Sequence, residues 1–149
     1  MRVVLQRVSE ASVTVDGNIT GAIKQGLLVL FCAEHNDNDD EAAYFARKIS
    51  KMRIFTDDDG KMNRSVLDVS GSVLAVSQFT LAANWKKGNR PGFSGAAAPA
   101  EGGRLYEFFC SALKSEGLTV EKGVFGAHMD VRLLNDGPVT VVMDSKDSA

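Results

Sequence analysis

The chain has 149 residues, of which 44% are hydrophobic and 24% charged, with a formal net charge of −2. This length is typical of one domain with its own core, so we predict a single domain over residues 1–149 with a frayed polar tail at 145–149. No apolar run approaches the roughly 20 residues that a membrane span needs, and the first residues do not resemble a secretory signal. We therefore expect a cytoplasmic protein with no membrane partner. The near-neutral charge argues against a protein that coats long duplexes, but it permits binding at one RNA end.

The two cysteines and two histidines are widely separated along the chain. Cys32 and Cys110 lie in apolar segments without a second cysteine nearby, so we interpret both as small core residues. No cluster of Cys, His or carboxylate side chains has the spacing of a metal site. We therefore predict neither a metal nor a cofactor.

The first third of the chain is rich in strand patterns. Alternating and continuous apolar runs predict four strands, at residues 3–8, 11–15, 19–23 and 27–33. Asp16-Gly17-Asn18 predicts a tight turn between the second and third of these. The run at 27–33 contains no polar residue, which is typical of a central strand covered on both faces.

Two amphipathic helices follow from the periodicity of the rest of the chain. The acidic segment 36–41 lacks the ligand spacing of a calcium loop, so it predicts a helix cap with acids in the first turn. Apolar side chains then recur at helical spacing to Met52, and residues 101–116 predict a second helix. Strand patterns return at 53–56 and 118–121. The fold class is α/β, a single three-layer domain in which two main helices cover one face of a mixed β-sheet and a second β layer covers the other.

Residues 72–81 form an apolar run that ends abruptly in polar side chains. Residues 73–76 predict a strand covered on both faces, and Ser77, Gln78 and Thr80 then break that pattern. Buried polar groups without partners cost roughly 1 to 3 kcal/mol each, so this end of the strand indicates a cleft where a ligand supplies hydrogen bonds. A strand end whose hydroxyls bind neighbouring backbone is the alternative, and the residues alone leave both open.

A second unusual stretch lies at residues 131–143, where two apolar runs flank a Gly-Pro pair. The SQFTL sequence at 77–81 and the NDGPVT sequence at 135–140 together resemble the two signature motifs of the D-aminoacyl-tRNA deacylases. The likeness runs from the first residues to Asp144, so it covers nearly the whole chain. It implies the same three-layer arrangement and a homodimer.

The resemblance implies that the substrate is a D-aminoacyl-tRNA, hydrolysed to free D-amino acid and tRNA. The sequence has no histidine within motif reach of a Ser or Cys and no nucleophile elbow, so we favour catalysis assisted by the substrate's own ribose hydroxyl. The resemblance makes Ser77, Gln78, Phe79 and Thr80 the catalytic residues. Ser77 and Gln78 position the ester and ribose, Phe79 packs on the adenosine, and Thr80 is a positioning group. Backbone amides around Phe79 and Thr80 are the candidate oxyanion donors.

Two further segments gain roles from the same resemblance. The sequence at 125–129 matches a family segment and places Phe125 and Met129 near the terminal adenosine, while we expect His128 to be peripheral. Gly137 and Pro138 form the chirality filter, with a cis peptide bond inserted into the partner subunit's site of the homodimer. Such a device does not exclude glycine, so glycyl-tRNA mischarged on tRNA-Ala is a second expected substrate. Without the resemblance, a hairpin turn explains the Gly-Pro pair equally well.

Residues 82–94 form a long segment rich in glycine, basic and aromatic residues. Lys86, Lys87 and Arg90 lie near Trp85 and Phe93, a composition suited to holding phosphates and stacking a base. The prediction is a loop that binds the 3′ end of an aminoacylated tRNA. A solvated flexible loop is the alternative.

Two other functions fit the sequence. One is an esterase in which Thr80 is the nucleophile and forms a covalent intermediate. The other is a non-catalytic module that binds the end of a nucleic acid through the aromatic and basic loop, and it predicts binding without turnover.

Overall fold

The computed structural model describes residues 1–147. Within them the chain forms two α-helices, α1 (Asp39–Lys51) and α2 (Pro99–Ser115), and a 3₁₀ turn at Phe79–Ala82. The strands are β1 (Arg2–Val15), β2 (Asn18–Ile23), β3 (Gly26–Cys32), β4 (Phe55–Thr56), β5 (Met62–Arg64), β6 (Ser72–Ser77), β7 (Thr119–Lys122) and β8 (Asp130–Asp144).

Six of the strands form one mixed sheet. The order is β2-β1-β3-β6-β7, with β8 also paired to β1, and β4 pairs with β5 in a small second sheet. The pairs that β1 makes with β2, β3 and β8 are antiparallel, whereas β3–β6 and β6–β7 are parallel. The predicted α/β class, with a mixed sheet and two helices, is confirmed.

The central strands are apolar on both faces because each face packs against a separate cluster. Leu27 and Val73 join the larger cluster, which includes the buried faces of α1 and α2. Their neighbours Leu28 and Leu74 point the opposite way and pack with Val13 and other side chains of β1 and β2. Contacts of β2 with β6 and β7, strands with which it forms no ladder, fit a β layer on this face.

Several boundaries differ from those the sequence predicts. The two strands predicted at 3–8 and 11–15 are one continuous strand, β1, which passes through exposed Ser9 and Glu10. The strand predicted at 53–56 is shorter, since only Phe55–Thr56 pairs with β5. The predicted helix cap is confirmed: Asn38 and Glu41 form a reciprocal capping box at the start of α1.

The end of the chain is hydrogen-bonded at Ser145, the first residue of the predicted tail. Its backbone N–H donates to the carbonyl of Met1 at 2.9 Å, and its Oγ lies 2.7 Å from the Met1 amino group. The last two residues of that predicted tail, 148 and 149, lie outside the described residues. Among residues 1–147, no helix has the length and apolar character to cross a membrane.

Candidate active site

A cavity lies where three parallel strands end. Each of β3, β6 and β7 is followed by a segment that reaches it: His35 after β3, Ser77–Phe79 at the end of β6, and residues 125–129 after β7. The start of α2 adds Pro99. Ligand sites of α/β sheets form beyond the carboxyl ends of parallel strands, because the connections diverge there.

The cavity has a volume of about 620 Å³. Five of the predicted site residues line it together, namely Ser77, Gln78, Phe79, Phe125 and Met129. The other lining residues are His35, Val76, Phe93, Ala96, Ala97, Ala98, Pro99, Gly126, Ala127, His128 and Val131. Thr80, the Gly137-Pro138 pair and the three basic loop residues are not part of this lining. The cavity therefore unites two of the four predicted segments.

The polar end of β6 turns sharply at Gln78. The backbone N–H of Gln78 donates to the carbonyl of Phe31 at 2.7 Å, and the chain then enters the 3₁₀ turn. The Gln78 side-chain amide donates to the hydroxyl of exposed Thr80. Phe79 and Thr80 open the turn, where the first N–H groups of a helix have no partner within it. These two amides are thus suited to receive a hydrogen-bond acceptor from a ligand.

Aromatic rings form much of the cavity wall. Phe93 meets Phe79 edge to face, with 5.2 Å between the ring centroids. Phe125 lies against α2 at Gly102 and Gly103, where a Cβ on Gly103 would be 3.4 Å from the ring. The rings of Phe79, Phe93 and Phe125 thus give the cavity apolar surfaces next to the polar end of β6.

The thiols are poorly suited to nucleophilic chemistry. Cys32 lies near the cavity, with its Sγ 3.6 Å from the carbonyl of Phe79, and burial raises the pKa of this thiol to about 11. Burial likewise raises the pKa of Cys110 to about 11. Both side chains are 2% exposed, which confirms that they are core residues.

The two histidines sit at the cavity in different ways. A ring N–H of His35 donates to the carbonyl of Ser94 at 2.7 Å, which links the segment after β3 to the residues that follow the basic loop. His128, which we expect to be peripheral, lies at the edge of the cavity, and its side chain is 92% exposed. Within residues 1–147, no three His, Cys, Asp or Glu side chains are grouped in a way that could hold a metal ion.

The Gly137-Pro138 pair lies on a bulge of β8. Thr140 pairs with Gln6 and Asn135 pairs with Val8, so the residues between them protrude opposite a single residue of β1. Both flanking halves of β8 run antiparallel to β1, and the hairpin interpretation is therefore wrong. The Gly137–Pro138 bond is cis, which confirms that expectation, and both residues are exposed.

The side chain of Arg7 hydrogen-bonds the backbone of this bulge. The sequence did not predict this role. Its Nε donates to the carbonyl of Asp136 at 2.9 Å and its Nη1 to the carbonyl of Ile54 at 2.8 Å. The Asn135 side chain adds hydrogen bonds to the carbonyls of Arg7 and Val139, both at 3.0 Å. The arginine inside the predicted apolar strand at 3–8 was the available signal, because a buried guanidinium needs several acceptors.

The basic segment that follows the 3₁₀ turn is a closed loop. Asn84 and Gly92 exchange two backbone hydrogen bonds, of 2.7 and 3.0 Å, across its base. Lys86, Lys87 and Arg90 lie exposed within it. Phe93, the residue after Gly92, lines the cavity. The loop that carries the basic residues is therefore adjacent to the cavity in the chain.

The fold and the cavity define an α/β domain with a candidate ligand site at the carboxyl ends of its parallel strands, between aromatic rings and the polar end of β6. The family model for D-Tyr-tRNA(Tyr) deacylase matches residues 4–144, and the chain belongs to this family.

Known proteins similar to this chain agree with the family assignment. A D-aminoacyl-tRNA deacylase from Ruegeria pomeroyi is 60% identical, covering 97% of this chain and 99% of its own length. Another from Thermus aquaticus is 56% identical, covering 99% and 97%. A solved c-Myc DNA unwinding element binding protein is 39% identical, with a TM-score of 0.91 over 99% of this chain and 100% of its own. A solved probable eukaryotic D-amino acid tRNA deacylase, 20% identical, shares the fold with a TM-score of 0.80 over 95% and 97%.

Proposed function

We propose that the protein hydrolyses the ester bond of D-aminoacyl-tRNA to release free D-amino acid and tRNA. Family membership supports this activity. The observation that carries it is the convergence of Ser77–Phe79 with residues 125–129 on one cavity, because the family resemblance of the sequence implies that both segments contact the substrate.

The cavity is suited to the terminal adenosine of a tRNA. Phe79, Phe93 and Phe125 supply apolar ring surfaces against which a base can pack, an interaction worth about 1 to 3 kcal/mol per base. Ser77 and Gln78 lie at the same cavity and position the ester and ribose through hydrogen bonds. Met129 completes the apolar side. The partner is therefore the 3′ end of an aminoacylated tRNA.

The mechanism that we propose uses the substrate's own ribose hydroxyl. Within residues 1–147, the side-chain hydrogen bond of Thr80 comes from the Gln78 amide, which cannot accept a proton as a base would. The neighbouring ribose hydroxyl instead assists attack of water on the ester carbonyl. The N–H groups of Phe79 and Thr80 donate to the oxyanion as it forms, and the ester C–O bond then breaks to release the tRNA.

Replacement of Thr80 distinguishes this mechanism from a threonine esterase. Thr80→Ala should retain substantial deacylation, because the backbone amides and the ribose hydroxyl remain. Loss of a true nucleophile usually costs several orders of magnitude in kcat. The matched test is an aminoacyl-tRNA ending in a nucleotide without the neighbouring hydroxyl, which should react poorly with the wild-type protein. An inactive Thr80→Ala variant that folds and binds normally would favour the esterase.

Chirality, in this proposal, is read by the Gly137-Pro138 bulge of a second subunit. The bulge is exposed and does not line the cavity of its own chain, which suits insertion into a partner's site. Backbone carbonyls brought close to the substrate Cα leave no room for an L side chain. Glycine has no side chain to exclude, so glycyl-tRNA mischarged on tRNA-Ala is also a substrate. The assembly is a homodimer, and the tRNA substrate places it in the cytoplasm.

A second candidate function is binding of a nucleic-acid end without catalysis. The solved relative described as a c-Myc DNA unwinding element binding protein, 39% identical to this chain, favours this alternative. The two candidates differ in turnover. A binding module would leave the ester of aminoacyl-tRNA intact even when enough protein is present to bind all of the tRNA.

A further inference from the structure

The second half of α1 presents an exposed basic surface. Arg47, Lys48 and Lys51 are exposed beside the half-exposed ring of Tyr44, and together with Met52 they line a shallow depression of about 330 Å³. We call this set the α1 basic face. The Arg47 guanidinium lies 5.9 Å from the centroid of the Tyr44 ring, a cation–π distance.

The cations of this face have no carboxylate partners among the described residues. Within residues 1–147, no carboxylate oxygen lies within 4.0 Å of Arg47, Lys48 or Lys51, whereas Arg104 on α2 pairs with both Glu101 and Asp39. Arg47 and Lys51 also stand one helical turn apart, where like charges repel. The helix dipole favours cations in the last turn, but it does not require three together with an aromatic ring. A local positive surface therefore persists on a chain of net charge −2.

The α1 basic face lies at the far end of the helix whose acidic first turn, Asp39 to Glu41, follows the cavity residue His35. His35 lines the cavity, and α1 begins at Asp39, which Arg104 ties to α2 at 2.8 Å. At the helical rise of about 1.5 Å per residue, Arg47 and Lys51 lie roughly 12 and 18 Å along the helix from Asp39. A tRNA whose terminal adenosine occupies the cavity must carry its preceding phosphates over the adjoining surface.

We propose that the α1 basic face binds the phosphate backbone of the acceptor arm of the aminoacyl-tRNA. This second RNA contact lies on a different element from the loop that carries Lys86 and Lys87. The inference rests on the proposed function, since it takes the tRNA end as the cavity's ligand.

The test compares Arg47→Gln/Lys51→Gln with the wild-type protein and with Lys114→Gln. Lys114 is a matched control because it is also an exposed lysine in the last turn of a helix. The double variant should raise KM for full-length D-aminoacyl-tRNA by about three- to tenfold with kcat unchanged. The slope of log affinity against log salt should fall by about one to two, since each phosphate contact contributes about 0.9. KM for D-aminoacyl-adenosine, which lacks the arm, should not change.

Binding of uncharged tRNA is measured in parallel, so that the face is tested even if no deacylation occurs. An inactive wild-type protein would overturn the proposed function, while an unchanged KM and salt slope in the double variant would overturn this inference alone. Equal loss on both substrates, or the same loss in Lys114→Gln, would also overturn it. Thermal unfolding of all three proteins identifies a variant that is merely less stable.

Discussion

Gly137 occupies a position that only glycine fits. Its φ is +138°, and an added Cβ would lie 2.8 Å from Nη2 of Arg7 and 2.9 Å from a methyl group of Val139. Both distances are shorter than real Cβ contacts allow, so the bulge or the arginine beneath it would have to move. The positive φ and the close contacts with Arg7 and Val139 thus both favour glycine at this position.

Gly137→Ala should therefore displace the Gly-Pro bulge and lower D-aminoacyl-tRNA deacylation by at least about tenfold, while tRNA binding changes much less. Steady-state kinetics and tRNA binding measure the two effects. Gly60→Ala is the matched control: its φ is +79°, but an added Cβ meets nothing within 4 Å. It shares the backbone strain without the collision and should keep full activity. Wild-type kinetics in Gly137→Ala would remove the bulge from the site.

Among the elements, the closed loop between Asn84 and Gly92 carries the predicted phosphate contacts. Lys86→Ala/Lys87→Ala should weaken tRNA binding and lower its salt slope by about one for each phosphate that a lysine no longer neutralises. Lys61→Ala is a suitable control, because Lys61 is exposed in a different loop. Filter binding across a salt series measures the effect. A slope equal to that of the control variant would exclude these lysines from the RNA path.

Elements whose burial follows a local period were predictable from sequence. The unbroken apolar run of β3 and the helical spacing from Ala42 to Ile49 correspond to buried faces in the structure. β1 was divided in the prediction because polar Ser9 and Glu10 interrupt the run. In the structure the strand continues through them, because β1 stays paired with β8 on both sides of a register shift between Val8 and Glu10. A register shift between two strands does not change the spacing of apolar residues along the sequence, so the sequence could not predict it.

The site was predictable only in part, because much of it depends on distant contacts. The SQFTL segment was identified from its polar break and its family likeness. Arg7 was missed because its partner carbonyl at Asp136 is 129 residues away in sequence. His35 and residues 96–99 carry no distinctive pattern, and backbone pairing between residues 33–35 and 95–97 brings them together at the cavity. The Gly-Pro pair was ambiguous because a bulge and a hairpin favour the same residues.

At the scale of the whole molecule, the proposed dimer divides each active site between two chains. Gln78→Ala should damage the cavity, and Gly137→Ala should damage the bulge that serves the partner's cavity. A mixed dimer isolated after co-expression of both variants has one intact site, so it should show about half the wild-type activity. Dimers of either variant alone are the controls, and a mixed dimer no more active than these would place both groups in one chain's site.

The central claim is that the molecule deacylates tRNA with selection for the D amino acid. The most direct measurement is release of amino acid from matched D- and L-aminoacyl-tRNA, prepared on the same tRNA and incubated with the same protein. The proposal predicts rapid release of the D-amino acid and an essentially intact L-aminoacyl-tRNA, because the bulge leaves no room for an L side chain. Equal rates on both substrates, or binding of both without release, would contradict it.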